Sequence, residues 1–317
     1  MNLIDDAVDL AAYGRTSGVE AKVRKASDFG SAMYNSFEPR AAGVPDAPGF
    51  LLNDLRRRIR FRPGEVTAWS GFNGHRKSLL TSQLLLDCCV QRVPSLAMSF
   101  EMLPVETLSR MTRIAAGVAT PSRDYRGAFS RWTDGRFWIL DHLGRYTADE
   151  TLAVCRYFAQ ELGGRQVVID SMMMVCASEE HLDEQKQFVT DCVTTAQETG
   201  LHIHLVTHAR KGDETKPPSK YDIRGSSAIS DQVANVVMVW SDKAKKERVA
   251  NKLDDEATRA KPDAIVKIEK QRNGSFEGSV ALWWDEASLR FLGDRTSPIE
   301  PYLLAEPMEP EPIEEYR

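Results

Sequence analysis

Between residues 65 and 208, apolar positions fall into short runs of four to seven residues separated by longer stretches in which they recur at helical spacing. The runs EVTAWSG (65–71), SLAMSF (95–100), FWIL (137–140), QVVID (166–170) and HIHLVTH (202–208) have the length and β-branched content of buried strands. The stretches 78–92, 104–117, 148–162 and 182–199 place their apolar side chains on one face of a helix. This alternation predicts an α/β fold: a mostly parallel central sheet with helices on both faces. Further along, NVVMVWS (235–241), AIVKIEKQR (264–272) and SVALWWDE (279–286) read as closing strands, the last two joined by an Asn-Gly-Ser turn. The charged stretch 243–260 reads as a solvated helix inserted before them. No internal repeat is visible.

The two ends read differently. Residues 1–43 form a lead-in of one or two short helices before a Pro/Gly-rich break at 43–50. Within it, IDDAVDLAAY sets apolar residues at 4, 7, 8, 10 and 11, which suits both a face packed on a neighbour and a frayed terminus. Residues 44–293 make up the single predicted domain, and 294–317 a Pro/Glu-rich tail. Four prolines in 300–317 exclude a useful helix there and predict disorder.

Charge sharpens this division. The net charge is -5, and residues 300–317 hold six Glu against one Arg, so the rest of the chain is neutral overall. The acidic total therefore does not exclude nucleic-acid binding by the body. The tail itself suits a solubilising segment, a partner-docking segment or a mimic of nucleic-acid charge. No run approaches the roughly 20 apolar residues of a membrane span, and the N-terminus carries acids where a signal peptide carries bases, so the chain is expected in the cytoplasm without a membrane partner. Cysteines 88, 89, 155, 176 and 192 show no C-x-x-C spacing and read as reduced, buried thiols.

The candidate chemistry begins with GFNGHRKS, residues 71–78, which follows a strand and opens a helix. It approximates G-x-x-x-x-G-K-[ST], the loop whose backbone N–H groups cradle phosphates at a helix N-terminus. Gly71, Phe72, Asn73, Gly74, His75, Arg76, Lys77, Ser78 and Leu79 are the candidate nucleotide-binding residues. Lys77 would reach the β and γ phosphates, and Ser78 would ligate Mg2+. Arg76 stands where the second glycine belongs; its side chain can point away from the phosphates if its φ is negative. Asp170 and Glu101 close two other strands, one suited to hold Mg2+ and the other to serve as general base. Each alone is equally a helix-capping acid, but in an open parallel sheet all C-terminal strand ends share one crevice. His208 ends a fourth strand within reach of the γ phosphate, whereas His202 and His204 share one face and are expected in the core rather than on a metal. The polar stretch 209–225 offers Arg210, Lys211, Lys216, Lys220, Arg224 and Gly225, suited to a sugar-phosphate backbone and equally to a solvated loop.

In this order the motifs resemble the DnaB-like replicative helicases, including phage primase-helicases, whose core is RecA-like. SFEMLPVETLSRMTRIAAG is similar to their strand and helix with the catalytic glutamate, VVIDSMMMV to the magnesium strand, and LVTHARKG to the sensor strand. DIRGSSAISDQVANVVMV is similar to the signature after the DNA-binding loop, and KQRNG (270–274) to the C-terminal motif. The resemblance implies ATP and Mg2+, with catalytic roles for Lys77, Glu101 and His208. It also implies that Lys270 and Arg272 reach the γ phosphate of an adjacent subunit, hence a homo-oligomeric ring, usually a hexamer. Its implied partners are single-stranded and forked duplex DNA, a separate primase, and a replication protein on the acidic tail. A RecA-type DNA-binding ATPase acting as a switch, recombination or loader protein is the alternative.

Overall fold

The structure, a computed structural model, describes residues 3–4, 47–176, 181–225, 227–302 and 304. In chain order it contains β1 (Leu3–Ile4), α1 (Asn53–Arg58), β2 (Val66–Ser70), α2 (Lys77–Val90), β3 (Ser95–Ser99), α3 (Pro104–Ala116) and α4 (Arg123–Thr133). There follow β4 (Phe137–Leu140), α5 (Ala148–Glu161), β5 (Gln166–Asp170), α6 (Met172–Val175), α7 (Leu182–Thr199), β6 (His202–Val206) and α8 (Ala228–Gln232). The chain then adds β7 (Asn235–Ser241), α9 (Lys243–Ala250), α10 (Glu256–Ala260), β8 (Ala264–Gln271), β9 (Gly278–Asp285) and β10 (Arg290–Leu292). The strands form one sheet in the order β1-β4-β3-β5-β6-β2-β7-β8-β9-β10. It is parallel from β1 to β7 and antiparallel through β8, β9 and β10. The mostly parallel sheet read from the alternation is therefore present.

Helices cover both faces. On one, Leu80, Leu84, Met111, Ile114, Phe129 and Trp132 from α2, α3 and α4 pack with Trp69, Val237 and the closing strands. On the other, Leu152, Phe158, Phe188 and Cys192 from α5 and α7 pack with Ala68, Met98, Ile169 and Leu205. Ordinary capping sets the helix ends: Thr147 and Glu150 form a reciprocal capping box on α5, and Ser122 accepts the Tyr125 N–H at the start of α4. His202 and His204 sit in the core. The His204 Nδ1 accepts from the Trp69 indole (3.1 Å) and its Nε2 donates to Gln166 (2.9 Å), while His202 bridges Thr67 and the Arg62 carbonyl. Burial drives His202 down to about 3, so it stays neutral. All five cysteines are free and buried. Among the described residues no helix is long and apolar enough to cross a membrane.

Several features depart from the sequence reading. The amphipathic stretch of α4 and the three-residue strand β10 are additions to it. The insert at 243–260 is two helices, because Asp255 caps a new start at Glu256, its side chain accepting the Thr258 N–H. The packed body also runs beyond the boundary expected at 293. The prolines do prevent a helix, but an extended segment still docks: Tyr302 donates its backbone N–H to Ala115 O (2.8 Å) and its hydroxyl to Asp87 Oδ1 (2.5 Å), beneath Arg290. Asp87 also accepts the Leu51 N–H (2.9 Å), and burial raises its carboxyl to about 6. Of the lead-in read as helical, Leu3–Ile4 instead form β1, paired parallel with β4; its remaining apolar positions, and the acidic tail beyond 304, lie outside the described residues.

Candidate active site

Because β2, β3, β5 and β6 run parallel, their C-terminal ends open on one edge of the sheet. There the 71–76 loop, Glu101, Asp170 and His208 meet around a cleft of about 430 Å3 lined by Asn73 to Leu79 together with Arg110. Lys77, the first residue of α2, is buried, and its Nζ donates to Gly71 O (2.9 Å) and Phe72 O (3.1 Å) and lies 3.4 Å from His208 Nδ1. Burial lowers its pKa to about 8, against the opposing pull of Asp170 and Glu101. His208 is pushed down to about 4, first by burial and then by the Lys77 charge. A neutral imidazole thus faces the lysine through an acceptor nitrogen.

Asp170 bonds the Ser78 hydroxyl, and burial raises its carboxyl above the usual range. Ser171 Oγ donates to Glu101 Oε1 (3.3 Å), which fixes the end of β5 to the residue just past β3. Among the described residues no group of three or more His, Cys, Asp or Glu is placed to hold a metal ion. The adjacent hydroxyl and carboxylate of Ser78 and Asp170 still fit Mg2+, which takes few protein ligands when phosphate oxygens and waters supply the rest.

The loop backbone resolves the Arg76 anomaly in a way the sequence did not indicate. Its φ is 62° and ψ 26°, so arginine occupies the left-handed conformation a glycine would have, contrary to the expected negative φ. The side chain nevertheless leaves the cleft: its guanidinium stacks 4.4 Å from the Trp284 ring centre and lies 3.7 Å from Glu286 Oε2 on the β9 side. Gly71 serves packing, since a Cβ there would lie 2.1 Å from Val239 O. Phe72 likewise turns inward onto Ala209 and Trp240.

The 209–225 stretch begins immediately after His208 and returns to it. Ala209 bridges Ile223, Arg210 N donates to Asp222 O (2.7 Å), and Arg224 N donates to His208 O (2.8 Å). Lys211 and Lys216 are exposed on the loop, Lys216 beside Asp213 at 3.6 Å, and Lys220 sits by the Tyr221 ring. Gly225 packs on the Gln185 side chain. Tyr221 is 80% exposed, an aromatic the sequence reading passed over because a lone tyrosine in a polar stretch has no periodic signal. Arg110, on α3, escaped for a similar reason: it reaches the cleft nine residues after Glu101, a spacing with no motif.

Lys270 and Arg272 are not brought to this cleft. The C-terminal end of β8 pairs with the start of β7, a seven-residue strand (about 20 Å) from the sheet edge that carries the cleft. There the Lys270 Nζ donates to Ser230 O and Asp231 O, both at 2.9 Å, and Arg272 is exposed.

A family model described as "AAA domain" matches residues 53–214. Among solved structures, an ATPase domain superposes with a TM-score of 0.67 at 16% identity, over 84% of this chain and 96% of that one. A DnaB-like replicative helicase, solved with a view to its interactions with primase, gives a TM-score of 0.68 at 16% identity, over 86% of this chain and 68% of that one. At such identity the likeness is one of fold, and the shared fold is that of a helicase ATPase domain.

Proposed function

The chain belongs to the AAA domain family of ATPases, and from that premise we propose that it is a DNA-stimulated ATPase that moves along single-stranded DNA as a ring and separates the duplex ahead. One observation supports this above the others: the basic 209–225 loop is hydrogen-bonded at both ends to the strand end carrying His208, which itself touches Lys77. A polymer held by the loop and a nucleotide held by the lysine would act on the same few residues.

The roles follow from position. Lys77 exchanges its two loop carbonyls for the β and γ phosphates, and Ser78 and Asp170 hold the divalent cation. Bound Mg2+ supplies charge neutralisation on the phosphate oxygens. Glu101, on the open side of the cleft, takes the proton of the attacking water. His208, neutral, offers a hydrogen bond to the γ phosphate rather than a charge. Lys270 and Arg272, remote from the cleft of their own subunit, serve the neighbouring subunit, which makes the ring the working unit.

The first test is ATP turnover by the full chain with and without single-stranded DNA, beside Glu101→Gln. Stimulation that is lost in the variant is expected, the loss being about a hundredfold or more. Undiminished turnover by the variant puts the base elsewhere. Stimulation without unwinding of a forked duplex favours a switch or loader protein instead.

A further inference from the structure

Glu214 lies on the 209–225 loop, outside any of the roles above, yet it is held from three directions. Its Oε2 is 3.3 Å from His75 Nε2 and 2.7 Å from Lys243 Nζ, and its backbone carbonyl accepts the Trp240 indole N–H at 2.8 Å. His75 belongs to the phosphate loop and is fully buried. Its Nδ1 accepts the Ser241 backbone N–H (3.0 Å), so the ring proton sits on Nε2 and points at Glu214. Lys243, at the start of α9, donates a second bond to Asn73 O at the tip of the same loop (3.2 Å). One carboxylate oxygen thus joins both loops and the first residue of the insert.

An apolar contact runs beside this polar one, with Phe72 of the phosphate loop packed on Ala209 and Trp240. When Lys77 leaves the carbonyls of Gly71 and Phe72 for a phosphate, the segment 71–75 loses two of the bonds that hold it, while the Ala209 N–H stays on Gly71 O (2.9 Å). The carboxylate on His75 is one of the groups placed to register that change, beside the Ala209 N–H on Gly71 O.

We infer that Glu214 is a positioning residue that ties the polar loop to the phosphate loop, so that nucleotide and strand affinities are linked through its carboxylate. The strand half of this rests on the proposed function; the nucleotide half does not. By reciprocity, whatever nucleotide does to strand affinity the strand does to nucleotide affinity.

The test uses the full chain, a fluorescent oligo-dT and Mg·ATPγS. In the wild type, ATPγS should change oligo-dT affinity about fivefold or more and alter amide hydrogen exchange at residues 210–216. In Glu214→Ala, each ligand alone should bind within about twofold of wild type, but the affinity change should fall to about half of the wild-type change or less, and the exchange response should shrink with it. Glu214→Gln, which keeps an oxygen acceptor for His75 and Lys243, should recover part of both. An undiminished response in Glu214→Ala overturns the inference, as does a wild type without any response. Loss of nucleotide binding itself in Glu214→Ala also overturns it, because Glu214 would then belong to the site. If oligo-dT fails to bind the wild type, the proposed function falls while hydrogen exchange still decides the tether.

Discussion

Lys77 is a cation in a place where burial works against its charge, and it keeps that charge only marginally near pH 8. Phosphate binding needs the protonated form, so affinity should fall as pH rises through the free lysine's value. Between pH 7 and pH 9, Mg·ADP should bind about tenfold more weakly, a pKa unit being worth a factor of ten. Lys77→Arg, which cannot lose its charge in this range, should bind less well but without that slope; fluorescent-ADP titration reads both. Arg76 is the converse case: a residue whose sequence signal pointed to the right fate for its side chain and the wrong backbone. The left-handed backbone costs about 1–2 kcal/mol for a residue with a Cβ, and the stack on Trp284 with the Glu286 contact offsets it. A double-mutant cycle of Arg76→Gly and Trp284→Ala under urea unfolding should therefore show a coupling of about 1 kcal/mol. Nothing in eight letters around residue 76 could announce a partner at 284.

At the scale of elements, the parallel strands and main helices were legible because each buries a continuous apolar run or face, which leaves period and length in the sequence. The break in the insert, the short strand β10 and the docked segment at 299–302 left no such mark. They depend on single contacts: an aspartate cap, an edge pairing and one tyrosine. The 209–225 loop was legible as charge but not as a closed excursion with both ends bonded beside His208. Two kinds of contact should be separable on it. Neutralising Lys211, Lys216 and Lys220 should lower single-strand affinity and reduce the salt slope by about 2, at roughly 0.7 per charge lost. Tyr221→Ala should cost about 1–3 kcal/mol of affinity with the slope unchanged, because base stacking releases no counterions. Fluorescence anisotropy over a salt series measures both.

For the molecule as a whole, stability depends on contacts between distant parts of the chain. Gln83 exchanges two hydrogen bonds with the backbone of Phe291 across 208 positions, and Tyr302 closes on Asp87 across 215. A chain ending at 299 should lose about 3 kcal/mol in urea unfolding, the scale of deleting a buried, hydrogen-bonded aromatic, whereas one ending at 305 should match the full chain. The pairing of distant segments also has a meaning in the time order of synthesis. The 71–78 loop is translated well before the tryptophan at 284 that holds its arginine and the tyrosine at 302 that clamps the following helix. A nascent chain therefore carries the letters of the proposed nucleotide loop before it has the contacts that shape it, and gains them only when β9, β10 and Tyr302 arrive.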